Sequence, residues 1–301
     1  MRLLTRSDFD GLACATLLME LGVIDSWKFV HPKDMQAGEV EVTGNDVLAN
    51  VPYVKGCKMW FDHHSSEYSR LGDISFEGES RLADSAARVI YEYYGGVKKL
   101  PHFEEMVTAV DKVDSAKLTR EEILNPKGWV LLGFIMDPRT GLGRFRDFTI
   151  SNYQLMEKLI IDCATKNISQ ILEDPDVAER VKLYFEQDAL FRKMVAEFTR
   201  LDGNVIITDL RGVESIYAGN RFLVYSLYPE QNVSLWIVDG RGKQNCAIAV
   251  GHSVLNRTCK ADVGALMLKH DGGGHFQVGT CQVDYDKADD AIADIVANLK
   301  A

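Results

Sequence analysis

Positive charge is scarce in this chain of 301 residues: 34 Lys and Arg stand against 44 Asp and Glu, for a formal net charge of −10 and a pI near 5.2. Proteins that coat nucleic acid neutralise phosphates along a broad basic face, so this balance argues against bulk or duplex nucleic-acid binding. A small anionic substrate stays compatible, provided metal ions or a few placed Arg and His residues supply local positive charge. Long apolar runs are also missing. None approaches the roughly 18 residues of a membrane span, and the N-terminal MRLLTRSDFDG lacks the apolar stretch of a secretory signal, so a cytoplasmic protein with no membrane partner is expected. The cysteines (Cys14, Cys57, Cys163, Cys246, Cys259, Cys281) form no C-x-x-C pair. That argues against a zinc knuckle or a disulfide framework and predicts reduced, mostly buried thiols. No G-x-G-x-x-G follows a strand and opens a helix, which disfavours a glycine-rich nucleotide fold. There is no internal repeat and no low-complexity segment.

What is present suffices for two cores, since 46% of the residues are apolar and single cores seldom grow past roughly 250 to 300 residues. The first half alternates strand-like pieces (1–5, 26–30, 45–51, 57–61) with helix-period runs (11–22, 84–94). This pattern predicts an α/β domain with a mostly parallel sheet flanked by helices. Residues 154–173 and 175–201 read as long helices closing it. From 204 onward, short β-rich pieces (204–209, 221–228, 233–240, 245–251), followed by the glycine-rich 271–283 and a last helix (286–299), predict a smaller α+β domain. The expected division is 1–195, including linker helices, and 204–301, with a cleft between them.

In parallel sheets the chemistry gathers outside the carboxyl ends of the strands. The first strand ends in SDFDG, and alternate residues of an extended chain share a face, so Asp8 and Asp10 point together. Asp10 could serve simply as a helix N-cap. A cap needs one oxygen, however, and here two aspartates precede Gly11. NDVLANV carries Asp46 and Asn50, the next strand delivers Asp62, His63 and His64, and VDKVDSA sets Asp111 and Asp114 three apart, on one face if helical. So many carboxylates at one sheet edge would repel each other and raise each other's pKa. Divalent ions relieve that. Hard oxygens with one or two imidazoles suit Mn²⁺ or Mg²⁺, one ion or two, better than zinc.

SDFDG, FDHH, DKVDSA and, much later, GGGH, in this order over nearly the whole chain, resemble the DHH phosphoesterase family with its associated C-terminal substrate domain. Such families include class II inorganic pyrophosphatases, exopolyphosphatases, the single-strand exonuclease of recombination, nanoRNases and cyclic dinucleotide phosphodiesterases. The resemblance implies that Asp8 binds one metal and Asp10 the other, with His63 on the second metal, His64 facing the phosphate and Asp62 orienting the pair. Asp111, ahead of Asp114, would be the late aspartate completing the second site. Two departures stand out. Arg6 and Leu4 occupy positions where many relatives have His, and neutral Asn50 falls where a bridging aspartate is expected, with Asp46 nearby as its substitute.

DGGGHFQVG reads either as a flexible turn or as an anion cradle, because consecutive glycines let backbone N–H groups approach a phosphate. Gly272, Gly273, Gly274 and His275, together with Arg257 upstream, are the candidate substrate contacts; in the resembling families the arginine and GGGH bind substrate across the interdomain cleft. Arg139, Arg144 and Arg146 lie in PRTGLGRFR, a solvated surface loop or one that meets the substrate. Trp129 and Phe145 are core residues or stack a base. The function expected is metal-dependent, in-line hydrolysis by water of short oligonucleotides or small nucleotides. The alternatives are an exopolyphosphatase-like hydrolase and a nucleotide-binding regulatory protein with a degenerate metal site. A homodimer is compatible with the sequence.

Overall fold

The computed structural model describes all residues except 65, 66, 68, 69, 73 and 301. Strand β1 (Arg2–Thr5) is followed by helix α1 (Phe9–Glu20), β2 (Ser26–Phe29), the short α2 (Pro32–Gln36), β3 (Asp46–Ala49), β4 (Met59–Asp62) and β5 (Gly78–Ser80). These strands form one parallel sheet in the order β2-β1-β3-β4-β5. Leu3, Leu4, Val47, Leu48 and Phe61 are fully buried. Strands covered on both faces read as apolar runs rather than as alternating ones, which is how these appear in the sequence.

The helices that follow are α3 (Ala86–Tyr93), α4 (Glu104–Asp114), α5 (Arg120–Leu124), α6 (Gly128–Met136), α7 (Asn152–Thr165), α8 (Ile168–Glu173) and α9 (Pro175–Phe198). Helix α1 packs against α3, α4 and α7. That encirclement explains why its GLACATLL is apolar all round. Its N-cap is Asp8, whose Oδ1 accepts from the Gly11 N–H at 2.9 Å. Asp10 stands in the first turn instead of capping it. A Cβ on Gly11 would fall 2.0 Å from the Arg6 carbonyl oxygen, so only glycine lets the helix leave the strand this tightly.

Packing divides the chain into two compact units, Met1–Lys117 with Pro126–Leu183, and Leu118–Asn125 with Tyr184–Ala301. The division therefore falls inside the continuous α9, upstream of the 195–204 expected from composition. Residues 118–125 side with the second unit because Arg120 donates to the Ser226 carbonyl and Arg192 to that of Leu124.

The second unit holds β6 (Thr199–Asp202), β7 (Val205–Asp209), α10 (Leu223–Leu227), β8 (Val233–Asp239), β9 (Cys246–His252), α11 (Val263–Leu268), β10 (Gly273–His275), β11 (Val278–Val283) and α12 (Tyr285–Leu299). Its mixed sheet runs β10-β11-β9-β8-β7-β6. Val205 and Ile207 face a core shared with α11 and α12, while Ile206 between them faces Phe191, Leu223 and Tyr225 on the other side. The 221–228 stretch, expected as strand, is instead the helical turn α10. A short apolar run fits either state; here Asn220 accepts from the Phe222 N–H through its side chain and from the Leu223 N–H through its carbonyl, and the turn drops Leu223 and Val224 into the core.

All six cysteines are free thiols, five of them buried. Among the described residues no helix is long and apolar enough to cross a membrane.

Candidate active site

The register of the parallel sheet aligns Thr5 with Ala49, Ala49 with Phe61, and Asp62 with Ser80. Asp8, Asn50 and the Asp62–His64 segment therefore leave the sheet at the same edge. Asp46 pairs with Arg2 at the opposite, amino-terminal end. There it is held by Arg2 at 2.7 Å and by the Thr43 N–H and hydroxyl. It cannot reach the place of the bridging aspartate.

At the carboxyl edge, ligand atoms of Asp10, His63 and Asp114 all lie within 4.8 Å of one another. Three distant segments deliver them: the first turn of α1, the exit of β4 and the last turn of α4. His63 Nδ1 lies 3.2 Å from the Ala83 carbonyl oxygen, which can only accept, so Nδ1 is the donor there and Nε2 is the nitrogen turned to the cluster. Nε2 lies 3.3 Å from Asp114 and 3.7 Å from Asp10, yet it is buried with no hydrogen-bond partner among the described residues. An imidazole whose far nitrogen is anchored to a carbonyl, and whose near nitrogen faces two carboxylates, is the arrangement of a metal-ligating histidine. The donor set fits a divalent cation.

Asp10 accepts from the N–H groups of Ala86 and Ala87 at the start of α3, where the helix dipole favours an anion. Burial, then the charge of Asp114, nevertheless pushes its carboxyl up to about 7. Asp8 is raised too, mainly by burial, with the Arg6 charge working against it. Its Oδ1 takes the Gly11 N–H and the Asn50 amide, and its Oδ2 lies 3.1 Å from Arg6 Nε. Asp8 is thus engaged as cap and ion-pair partner. Asn50 adopts the left-handed region (φ 55°), which asparagine tolerates, and its Oδ1 is another buried atom without a partner among the described residues.

Asp111, the favoured late aspartate, is spoken for: the Ser85 hydroxyl donates to it at 2.7 Å and Arg88 Nε at 2.8 Å. Asp114 takes the place beside His63. Asp62 is buried and accepts from His64, from its backbone N–H and from Nδ1 at 3.0 Å. Burial depresses the His64 pKa, but the Asp62 hydrogen bond and charge outweigh it, and the net shift is upward. His64 also lies against His63, ring centroids 4.2 Å apart.

Sequence reasoning gave no role to Arg6 beyond its departure from histidine, and none to Asp137. A cavity beside the cluster is lined by Arg6, Asp8, Asp10, Asp114, Asp137 and Arg139. The signal was Asp-Pro-Arg, a capped turn that aims an arginine. Trp129 is core, in α6, and Phe145 is half-buried under the Arg144 guanidinium.

In the second unit GGGH is no flexible turn. It forms the edge strand β10 against β11, with Gly274 opposite Gly279. A Cβ on Gly272 would fall 2.2 Å from the Thr280 carbonyl oxygen, and one on Gly274 2.2 Å from that of Val278, whereas Gly273 faces open space. His275 is exposed, and Arg257 lies in the turn after β9, its Nε donating to the Val254 carbonyl.

Compared with solved structures, the chain is 46% identical to PggH of Vibrio cholerae, a pGpG-specific phosphodiesterase, over 99% of this chain and 98% of that one, with a TM-score of 0.88. Two remoter structures share the fold. One is an exopolyphosphatase-related protein from Bacteroides fragilis (12% identity, TM-score 0.52, 99% of this chain and 92% of that one). The other is RecJ of Thermus thermophilus in complex with Mn²⁺ (14%, TM-score 0.55, 98% and 51%). No family model and no curated protein matches the sequence. With full-length identity of this order, and with SDFDG and FDHH brought to one sheet edge, the chain belongs to the DHH phosphoesterase family and is a phosphohydrolase.

Proposed function

We propose that this enzyme is a divalent-cation-dependent phosphodiesterase that hydrolyses pGpG, a linear dinucleotide with a 5′-phosphate, and similar short oligonucleotides to mononucleotides. The observation that carries the substrate is the 46% identity, end to end, with an enzyme specific for pGpG. The buried Nε2 of His63 between two carboxylates, without a hydrogen-bond partner among the described residues, carries the cation. One ion, Mn²⁺ with Mg²⁺ as substitute, would be held by Asp10, His63 and Asp114, a hard oxygen set with one imidazole.

When bound, the cation supplies Lewis-acid polarisation of the phosphoryl group and a water acidified towards neutrality. The protein's own groups account for the rest. His64, held through Nδ1 by Asp62, directs its Nε2 proton at a phosphoryl oxygen. The backbone around Ala86 and Ala87 fixes Asp10. Arg257, His275 and the backbone along the open edge of β10 are the anion contacts that the second unit offers, the Gly272 N–H being already given to the Met267 carbonyl at 2.9 Å.

The test is hydrolysis, followed by chromatography, of pGpG, duplex DNA and long polyphosphate with Mn²⁺ and after chelation. GMP should appear from pGpG with Mn²⁺ alone, and duplex DNA should persist. Long polyphosphate consumed about tenfold faster than pGpG would replace this reading with an exopolyphosphatase. Nucleotide binding without turnover under any metal would make the chain a regulatory module.

A further inference from the structure

The cavity beside the ligand cluster has two arginines in its wall, and their geometry suits an anion. Arg139 is fixed by a built turn. Pro138 opens a 3₁₀ turn, the Asp137 side chain caps the Arg139 N–H at 2.7 Å, the Thr140 hydroxyl donates to the Asp137 carbonyl, and Gly141 closes the turn at φ 77°. The Asp137 carboxylate takes Nε at 2.9 Å and Nη2 at 2.7 Å, which turns Nη1 away from this carboxylate. Arg6 meets Asp8 through Nε, leaving the terminal nitrogens of its fork beyond that contact. Both side chains are partly exposed, 37% for Arg6 and 41% for Arg139. Ion pairs at such exposure add little stability. What the pairs do is hold two guanidinium forks at one cavity, and that fork matches phosphate oxygens.

Charge says when an anion could enter. Four carboxylates line the cavity against two guanidiniums, so an anion is repelled until a divalent cation occupies the Asp10–His63–Asp114 cluster. The cavity shares Asp10 and Asp114 with that cluster and extends from them to Arg6 and Arg139. A phosphodiester cleaved at the cluster belongs to a substrate that, in pGpG, carries one more phosphate a single nucleoside away.

We propose that Arg6 and Arg139 form a clamp for that second phosphate, the 5′-terminal one, and so select 5′-phosphorylated dinucleotides over unphosphorylated ones. The inference rests on the dinucleotide reading above and adds the residues that set its specificity.

The test pairs a side-chain deletion with a substrate deletion. The Mn²⁺-loaded full chain, wild type, Arg139→Gln, Arg6→Gln and Arg139→Lys, is assayed on pGpG and on GpG, with bound Mn²⁺ and melting temperature measured on each. Wild type should prefer pGpG. Each glutamine variant should lower the ratio of kcat/KM for pGpG over GpG by about tenfold or more, chiefly through KM, the effect expected from losing a hydrogen bond to a charged group. Arg139→Lys should recover part of that ratio, with Mn²⁺ content unchanged. An equal loss on both substrates, or a loss of Mn²⁺, would overturn the clamp and leave the arginines as neutralising partners of Asp8 and Asp137. If wild type cleaves neither dinucleotide but does cleave polyphosphate, it is the dinucleotide reading that has failed, and the clamp with it.

Discussion

Asp111 and Asp114 sit three positions apart on α4 and face different groups. Asp111 meets Ser85 and Arg88; Asp114 meets Nε2 of His63. Asp114→Asn should therefore cost more metal affinity than the roughly 10- to 100-fold typical of outer-shell changes, while Asp111→Asn keeps its metal and loses about 1 to 3 kcal/mol of stability from leaving Arg88 unsatisfied. Metal content after dialysis and urea titration read the two effects, and the opposite assignment would show as Asp111→Asn losing the ion. The spacing put both aspartates on one face, but nothing in DKVDSA says which of them Arg88 claims. Asp46 differs because it lies far from the chemistry. Burial raises its pKa, but the Arg2 and Thr43 hydrogen bonds outweigh that, and its folded value lies below the ordinary one. A depressed carboxylate contributes stability that is fully present above its unfolded pKa of about 3.9 and is lost as pH falls through the folded value. Asp46→Asn should thus lower stability by about 1 to 2 kcal/mol at pH 7, converge with wild type as pH falls below the folded value, and leave the metal untouched. Loss of bound metal in this variant would restore Asp46 to the site.

At the level of elements, the parallel sheet was legible because its central strands β1, β3 and β4 are apolar without alternation and alternate along the chain with helix-period runs. That pattern also located the carboxyl edge, and with it Asp10 and His63. What stayed hidden depends on partners remote in sequence. The 221–228 run became a helical turn that Asn220 opens, and β5, only Gly78–Ser80, is too short to carry a period. GGGH was legible as glycines needing close approach, but not as a strand, since strand propensity disfavours glycine. Its three glycines are unequal. Gly274→Ala would drive a Cβ into the Val278 carbonyl and should cost about 1 to 3 kcal/mol, whereas Gly273→Ala, facing open space, should stay within about 0.5 kcal/mol of wild type by urea titration. Equal destabilisation of both would mean that β10 does not pair with β11 in this register.

The whole molecule has two packed units with separate cores, yet Asp10, His63 and Asp114 all belong to the first. They come from elements more than fifty residues apart and gather beside Asp8 and Asp137 in a protein already carrying a formal −10. Without a cation, burial and mutual repulsion act against folding the first unit; with one, α1, the β4 exit and α4 are tied at a single point. Binding to the folded state alone stabilises by RT ln(1 + [L]/Kd), about 2.7 kcal/mol at a hundredfold excess over Kd. That is about a hundredfold in the protection of amides that exchange through unfolding of the unit. Mn²⁺ should slow exchange of the β1, β3 and β4 amides by that factor and leave those of β7, β8 and β9 nearly unchanged, as read by hydrogen exchange and mass spectrometry with and without chelator. His63→Ala should abolish the difference. Equal protection of both sheets by Mn²⁺ would mean that the two units unfold as one, and protection confined to the second sheet would place the metal away from the Asp10–His63–Asp114 cluster.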